Sequence, residues 1–407
     1  PSTHDDGDVP PVTYPTLPPQ VDLPALDAEV LAFWREHHVF ARSLAGAEDR
    51  PAWVFYDGPP TANGIPGIHH VEARVFKDIF PRYRTMKGYH VPRKAGWDCH
   101  GLPVEIAVEK ELGIATKGEI EAFGVAEFNA RCRESVLRHV DAWEAMTERM
   151  GFWIDMSSPY RTMDADYVQS VWWSLKQVFD AGLLTEDHRV TPYCPRCGTS
   201  LSDHELGQPG GYETVVDPSV YVRFPLTSGP FAGVADLLVW TTTPWTLVSN
   251  TAVAVHPDVT YTLVEHRDLP RPVVVAEPLV GAAVGEDARV LDRVPGRAME
   301  YWTYDRPFDL VDIPQAHIVV LGEYVTTEDG TGLVHQAPAF GADDLTVCKV
   351  SDLPLVNPVR PDGTFALDVP QVGGKFFMHA DTDLVLELER RDLMWRLVAY
   401  EHTYTHC

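Results

Sequence analysis

Basic residues are scarce in this chain. Its 407 residues hold 33 Lys and Arg against 59 Asp and Glu, a formal net charge of −26. A surface of that sign repels phosphate, which excludes a protein that coats nucleic acid through bulk charge but not one with a local basic site. Long apolar runs are missing too. None approaches the roughly 18 residues that a membrane span requires, so no membrane partner is expected. Cysteine is sparse, six in all, and only Cys194 and Cys197 stand close together, which argues against a disulfide framework. Residues 1–20 are rich in Pro and Asp and lack the apolar segment of a secretory signal, so the expected address is the cytoplasm.

What is present is ample apolar material, 45% of residues, enough to exclude global disorder and to fill two to four domains. The chain opens on Pro1 without a Met and stops at Cys407, and is expected to be a fragment. A helical pattern over Asp27–His38 sets Val30, Leu31 and Trp34 on one side. Ala52–Tyr56 reads as a buried strand broken by Gly58-Pro59-Pro60. A helix from about His69 to Lys87 follows the Asn63-Gly64 turn, with Val71, Val75, Ile79 and Tyr83 as its core stripe and Pro81 as a distortion. Two longer helices come next. One carries Phe128, Cys132, Val136, Val140, Trp143 and Met150; the other carries Tyr167, Val171, Leu175 and Val178 and stops at Gly182. Cys132 in an apolar stripe reads as inert core. Strand, loop and helix in this order open an α/β parallel-sheet domain.

Near Gly210-Gly211 the texture changes to short β-type runs: Val220–Phe224, Val239–Thr243, Ala252–Val255, Tyr261–Val264, Val273–Val275, Ile318–Leu321 and Gly332–Val334. Pro361-Asp362-Gly363 is a hairpin signal. Residues 212–385 therefore read as a β-rich domain, closed by a helical pattern near Leu384–Leu393.

Four places carry candidate chemistry. The loop Gly58–Gly67 ends at a helix N-terminus, where unpaired N–H groups and the dipole favour an anion, and His69 and His70 can donate to phosphate; a plain Gly-Pro turn before a helix remains open. Asp98, in Gly96-Trp97-Asp98-Cys99-His100-Gly101, can receive an ammonium group or simply cap a helix. Cys194-Pro195-Arg196-Cys197 offers two thiolates to a tetrahedral zinc; a redox pair is the rival, though Gly198-Thr199-Ser200 does not suggest the helix that such a pair opens. Thr241, Thr242 and Thr243, with Asp343-Asp344 further on, form either a pocket or an ordinary strand and a helix cap. The basic stretch from Arg74 to Lys94 fits a local phosphate site or a solvated helix face.

The ordered series FYDGPPTANG (55–64), Lys77-Asp78, RKAGWDCHGLPVE (93–105), GFWID (151–155), Trp172-Trp173, PYCPRCGTSLSDHE (192–205), WTTTPWTL (240–247) and GTGLVHQAPAFGADD (330–344) resembles the class I aminoacyl-tRNA synthetases, in their isoleucyl branch. It covers almost everything beyond residue 20. The resemblance implies an α/β fold: a Rossmann-type parallel sheet interrupted by an inserted β-barrel-like editing domain, with a zinc knuckle at the junction. The implied boundaries are a leader over 1–20, the first half of the catalytic domain over 21–190, the knuckle over 191–211, the editing domain over 212–385, and a return toward the catalytic domain over 386–407. Implied too are ATP with Mg2+, isoleucine and tRNA(Ile) as ligands, Zn2+ as a structural metal, and a monomer.

By the same resemblance, Asp98 holds the amino acid's ammonium, Pro59 walls the side chain with Gly58 counted in the same substrate site, and Gly58, Asn63, Gly64 and His70 line the ATP site. Thr241, Thr242, Thr243, His335 and Asp344 form the editing pocket, Asp344 on the ammonium. Cys407 joins Cys194 and Cys197 as a metal ligand; its own partner is expected beyond the end of this chain, with His402, His406 or His204 as substitutes for that fourth ligand. One departure stands out. The family's HIGH signature places histidines first and fourth, whereas here it reads Gly67-Ile68-His69-His70. Residues two apart on a helix do not share a face, so His69 is not expected to stand in for a side chain at 67 without rearrangement. No KMSKS-like loop and no anticodon-binding helical domain occur in the sequence, so the chain alone is expected to be deficient in activation. A valyl or leucyl relative, or a non-catalytic tRNA-binding or editing fragment, is the alternative.

Overall fold

The structure, a computed structural model, describes residues 20–207 and 210–405. Most of the Pro-rich leader, His406 and Cys407 lie outside the described residues. Two compact units divide the chain, residues 1–185 and 186–407.

The first unit is built on a three-stranded parallel sheet. Helices α1 (Leu23–Glu36) and α2 (Val39–Leu44) precede strand β1 (Phe55–Tyr56). Helix α3 (Ile68–Met86) leads to β2 (Arg93–Trp97), and α4 (Leu102–Leu112), α5 (Lys117–Phe123), α6 (Val125–Ser135) and α7 (Val140–Arg149) lead to β3 (Asp155–Arg161). Helix α8 (Ala165–Asp180) ends before Gly182, whose φ of +70° suits glycine. The strands stand in the order β1-β2-β3, all parallel, and each is joined to the next through helices. Trp97, Val104, Val136 and Trp143 pack around Ala62, so the loop after β1 is part of the core.

Three expectations change here. Ala52–Tyr56, read as a buried strand, is a strand only over Phe55–Tyr56, and Val54 and Tyr56 are exposed. The helix read through Phe128 to Met150 is two helices, α6 and α7. The chain breaks between them because the His139 N–H turns away to the Ala62 carbonyl, 3.0 Å. The stripe on α3 is also inverted: Val75, Ile79 and Tyr83 are exposed, while Arg74 and Pro81 are buried. Arg74 is drawn inward by buried Asp57, 3.6 Å away, and lies over the Trp143 ring. Trp172, Trp173 and Phe179 on α8 are exposed as well.

The second unit begins with the hairpin β4 (Tyr193–Cys194) and β5 (Thr199–Ser200), then α9 (Asp203–Leu206). Strands β6 (Tyr212–Pro225), β7 (Asp236–Thr241), β8 (Ala252–Val255), β9 (Thr260–Glu265) and β10 (Val273–Ala276) follow, with a tight 3-10 turn over Pro244–Ser249. Then come α10 (Val280–Ala283), β11 (Arg289–Pro295), β12 (Ile318–Leu321), β13 (Leu333–Gln336), α11 (Ala342–Val350), α12 (Phe377–Arg390) and β14 (Met394–Thr405). A six-stranded sheet runs β11-β9-β10-β7-β6-β14, antiparallel except for the parallel pair of β10 with β7; a smaller sheet runs β12-β8-β13. Within the stretch expected to return toward the first domain, β14 pairs with β6 along its length.

The alternation read in β6 holds with one addition. Val220, Val222 and Phe224 are buried, and so is Arg223, because Asp236 beside it supplies an ion pair at 2.9 Å. Arg271 reaches the other oxygen of Asp236 at 3.0 Å. A charge is tolerated inside only when it is paired in this way.

Candidate functional site

In open parallel sheets, ligands bind beyond the carboxyl ends of the strands. In the first unit those ends carry Asp57 after β1, Asp98 after β2 and Thr162 after β3. The loop after β1 is held rigidly. Asn63 Nδ2 donates to the Pro103 carbonyl (2.9 Å), the Trp143 indole to Gly64 (2.9 Å), and Asp98 N–H to Pro60 (3.0 Å). Lys77 on α3 donates to both Asp57 Oδ1 (2.8 Å) and the Gly58 carbonyl (2.7 Å), and the Tyr160 hydroxyl donates to the Asp57 carbonyl. Burial beside Asp57 pushes the Tyr160 phenol up to about 12, so it stays a donor.

Gly67 caps α3 in an extended conformation, and its N–H donates to Nδ1 of His70 at 2.9 Å. That bond makes Nδ1 an acceptor, so the neutral ring carries its proton on Nε2. Burial, then His69 and Arg74, lower the pKa of His70 and favour the neutral ring. The His69 ring is tilted against it with centroids 3.8 Å apart, and the Trp143 ring lies 4.5 Å away. Asp98 is half-buried; its Oδ1 accepts from His100 N–H at 3.2 Å and lies 3.5 Å from Thr162 Oγ1. Gly58, Pro59, Asn63, Gly64, Gly67, His69, His70 and Asp98 thus all belong to the loops and helix start at this edge of the sheet.

The second unit contains a cavity of about 800 Å3, lined among others by Trp240, Thr241, Thr243, Trp245, Thr246, His335, Phe340 and Asp344. Thr242 does not line it. Thr241 ends β7, and the turn after it brings Thr243 Oγ1 within 3.2 Å of Thr241 Oγ1 and 3.1 Å of Thr246 Oγ1. His335 on β13 reaches Thr246 through Nε2 at 2.8 Å and Asn250 through Nδ1 at 3.1 Å. Burial brings the His335 pKa down to about 4. Asp344, in the first turn of α11, accepts from Ala337 N–H at 2.8 Å. Gly341 leaves room for it: a Cβ there would stand 2.6 Å from the carboxyl carbon. The pKa of Asp344 is raised by burial and by Asp343, against the Ala337 N–H; among the described residues no cation contributes.

Cys194 and Cys197 are both buried in the β4–β5 hairpin, with Cys197 N–H 3.4 Å from Cys194 Sγ. Two soft sulfur donors on one tight turn are half of a tetrahedral zinc set. Among the described residues no group of three or more His, Cys, Asp or Glu is placed to hold a metal ion. His402 instead pairs with Asp217 at 3.0 Å. No described helix is long and apolar enough to cross a membrane.

Several residues at these sites were not singled out from the sequence. Thr246 and Asn250 are polar positions in the apolar stretch that follows the three threonines, so the signal was there. Thr162 reaches Asp98 only through the tertiary fold.

The parallel sheet thus carries a glycine loop, a histidine-bearing helix start and an acid at the carboxyl ends of neighbouring strands, the edge at which open parallel sheets bind ligands. The family described as tRNA synthetases class I (I, L, M and V) matches residues 29–258, more than half of the chain, and the chain belongs to that family. Among curated proteins it is 66% identical over 396 residues to the isoleucine–tRNA ligase of Streptomyces coelicolor and 65% identical over 396 residues to that of Thermobifida fusca, covering 97% of this chain and 37% of each relative. The isoleucine–tRNA ligase of Thermus thermophilus is 48% identical over 388 residues, 95% of this chain and 36% of that protein. The chain therefore spans a little over a third of the length of these relatives.

Proposed function

We propose that this chain is part of an isoleucine–tRNA ligase, with an activation site in the first unit and a hydrolytic editing site in the second. At the first, the carboxylate of isoleucine attacks the α-phosphate of ATP in line and pyrophosphate leaves, giving isoleucyl-adenylate, and the protein contributes position and charge rather than a covalent intermediate. Asp98 takes the ammonium, Gly58 and Pro59 wall the side chain, and Asn63, Gly64 and the α3 N-terminus with Nε2–H of His70 face the phosphates, with Mg2+ accompanying ATP. His69 and Gly67 shape the same corner. The isoleucyl group then passes to tRNA(Ile).

At the second site Asp344 takes the ammonium of a misattached amino acid, while Thr241, Thr243 and His335 shape the wall and order water; Thr242 supports the strand end. One methylene separates isoleucine from valine, too little for faithful selection by binding, a problem for which this family is itself the standard example. Residues 212–385 act as the editing insertion. Cys194 and Cys197 hold half of a structural zinc, with Cys407 as a further ligand. The enzyme works as a monomer in the cytoplasm. The exposed apolar faces of α3 and α8 fit surfaces that the remainder of a longer protein covers.

The observation that carries the editing reading is Asp344: a carboxylate facing an 800 Å3 cavity, with no described cation against it. Hydrolysis of valyl-tRNA(Ile) by the 407-residue chain tests it. The unaltered chain is expected to release valine and Asp344→Ala to lose about a hundredfold, the worth of a charged hydrogen bond. Equal rates would remove Asp344 from the site. The same chain is expected to support little pyrophosphate exchange, having no KMSKS-like loop.

A further inference from the structure

Behind the threonine cluster, each hydrogen bond can be assigned a direction. Asn250 is fully buried, and its Nδ2 lies 3.0 Å from the Ala252 carbonyl oxygen. A carbonyl only accepts, so this corner of the amide is the NH2 group. The other corner accepts from the hydroxyl of buried Tyr304 at 2.8 Å. The NH2 group also meets Nδ1 of His335, and it has only hydrogens to offer. Nδ1 is therefore the bare nitrogen, and in the neutral ring Nε2 carries the proton toward Thr246. Thr246 spends its own hydroxyl hydrogen on the Thr243 carbonyl, 2.7 Å away, so its oxygen is left to accept. Thr243 Oγ1 then donates to Thr246, and Thr241 Oγ1, which accepts the Thr243 N–H at 3.1 Å, donates to Thr243 Oγ1.

We propose that the Asn250 amide, oriented by the Ala252 carbonyl and the Tyr304 hydroxyl, locks His335 as its Nε2–H tautomer, making His335 a fixed donor to the threonine cluster rather than a base toward water. This rests on the editing reading above. Neither ring nitrogen has a lone pair to spare: Nδ1 is covered by Asn250 and Nε2 holds the proton. Asn250 and Tyr304 are positioning residues. The direction of the chain of bonds leaves an acceptor lone pair on Thr241 for a cavity water, which keeps the water's own lone pair available for attack. In the hydrolysis, the water oxygen bonds to the ester carbon and the bond to the ribose oxygen breaks. One water proton goes to that oxygen and the other to solvent as the acid ionises.

Nitrogen-15 NMR of the histidine-labelled 407-residue chain tests the lock directly. Loss of signals in His335→Asn identifies residue 335 among the seventeen histidines. The expected spectrum has a pyridine-type Nδ1 and a pyrrole-type Nε2; the reverse overturns the proposal. In Asn250→Asp, whose carboxylate only accepts, the proton moves to Nδ1, and an unmoved proton counts against the amide's role. Deacylation of valyl-tRNA(Ile) tests the consequence. His335→Gln, a donor that cannot act as a base, is expected to stay within about tenfold of the unaltered rate, whereas His335→Ala loses on the order of a hundredfold. Equal losses in both overturn the donor role. No hydrolysis by the unaltered chain would overturn the editing reading itself, with the tautomer still read from the spectrum.

Discussion

The ring of His69 lies over Gly67: a Cβ added to Gly67 would stand 3.0 Å from Cε1 and 3.1 Å from Nδ1 of that imidazole. The spacing rule for helices says that residues two apart do not share a face, so that His69 stands in for a side chain at 67 only with rearrangement. The rule fails here because Gly67 is the N-cap, extended at φ −103° and ψ 175°, so only His69 belongs to the helix. The imidazole at 69 thus occupies the space into which a side chain at 67 would grow.

Gly67→His in the complete protein therefore forces two rings into one space and is expected to raise KM for ATP at least about tenfold, a typical penalty for overpacking. Adding His69→Gly should recover most of that loss, because the second change empties the space that the first fills. Pyrophosphate exchange over a range of ATP concentrations measures both. The exchanged pair should also bind inhibitors of the phosphate pocket differently from the unaltered protein. Simple addition of the two single losses would count against a shared space.

Lys77 is the strut between α3 and the loop after β1. Replacing it with Met keeps the stem and removes the donor shared by Asp57 and the Gly58 carbonyl. Asp57 is then left with Arg74 at 3.6 Å as its nearest cation. The expected result is a loss of about 2 kcal/mol in urea unfolding of the first unit, the worth of one charged hydrogen bond. Limited proteolysis should also cut faster within residues 57–64. Wild-type stability together with wild-type cleavage would show that the loop holds without the strut.

Local pattern made much of this legible. The strand–loop–helix order and the β-runs from Val220 onward follow from periodicity and glycine turns. What failed depended on partners far along the chain. Val75, Ile79 and Tyr83 carry the spacing of a core stripe, yet periodicity marks only which residues share a face; the buried face of α3 is chosen by Asp57. The break between α6 and α7 rests on a bond to Ala62, more than seventy residues away in sequence. Nothing near Tyr304 announces that it donates to Asn250. Asp381 was detectable in principle, as an acid on the same face as Ala380, Leu384 and Leu388.

Asp381 supplies the last prediction. Its Oδ1 accepts from the N–H of Trp245 at 2.7 Å, the first N–H that the turn over Pro244–Ser249 can offer, since Pro244 has none. Burial pushes this carboxyl up to about 7, with Asp217 adding to the rise and the Trp245 N–H opposing it. Between the ordinary value of 3.8 and about 7 the folded chain holds a proton that the unfolded chain has released. Stability contributed by Asp381 therefore falls as pH rises through that window, by about 1.4 kcal/mol per pH unit and by about 4 kcal/mol at most. Above pH 7 both states are ionised and the slope vanishes. Asp381→Asn can still accept the Trp245 N–H through its amide oxygen but does not titrate. Urea midpoints at pH 5, 6, 7 and 8 should show the variant gaining on the unaltered chain up to about pH 7 and running parallel beyond it, with other titrating groups cancelling in the difference. Parallel curves from pH 5 upward would mean that Asp381 is already ionised there, and that the turn carrying Thr246 is held by an ordinary carboxylate.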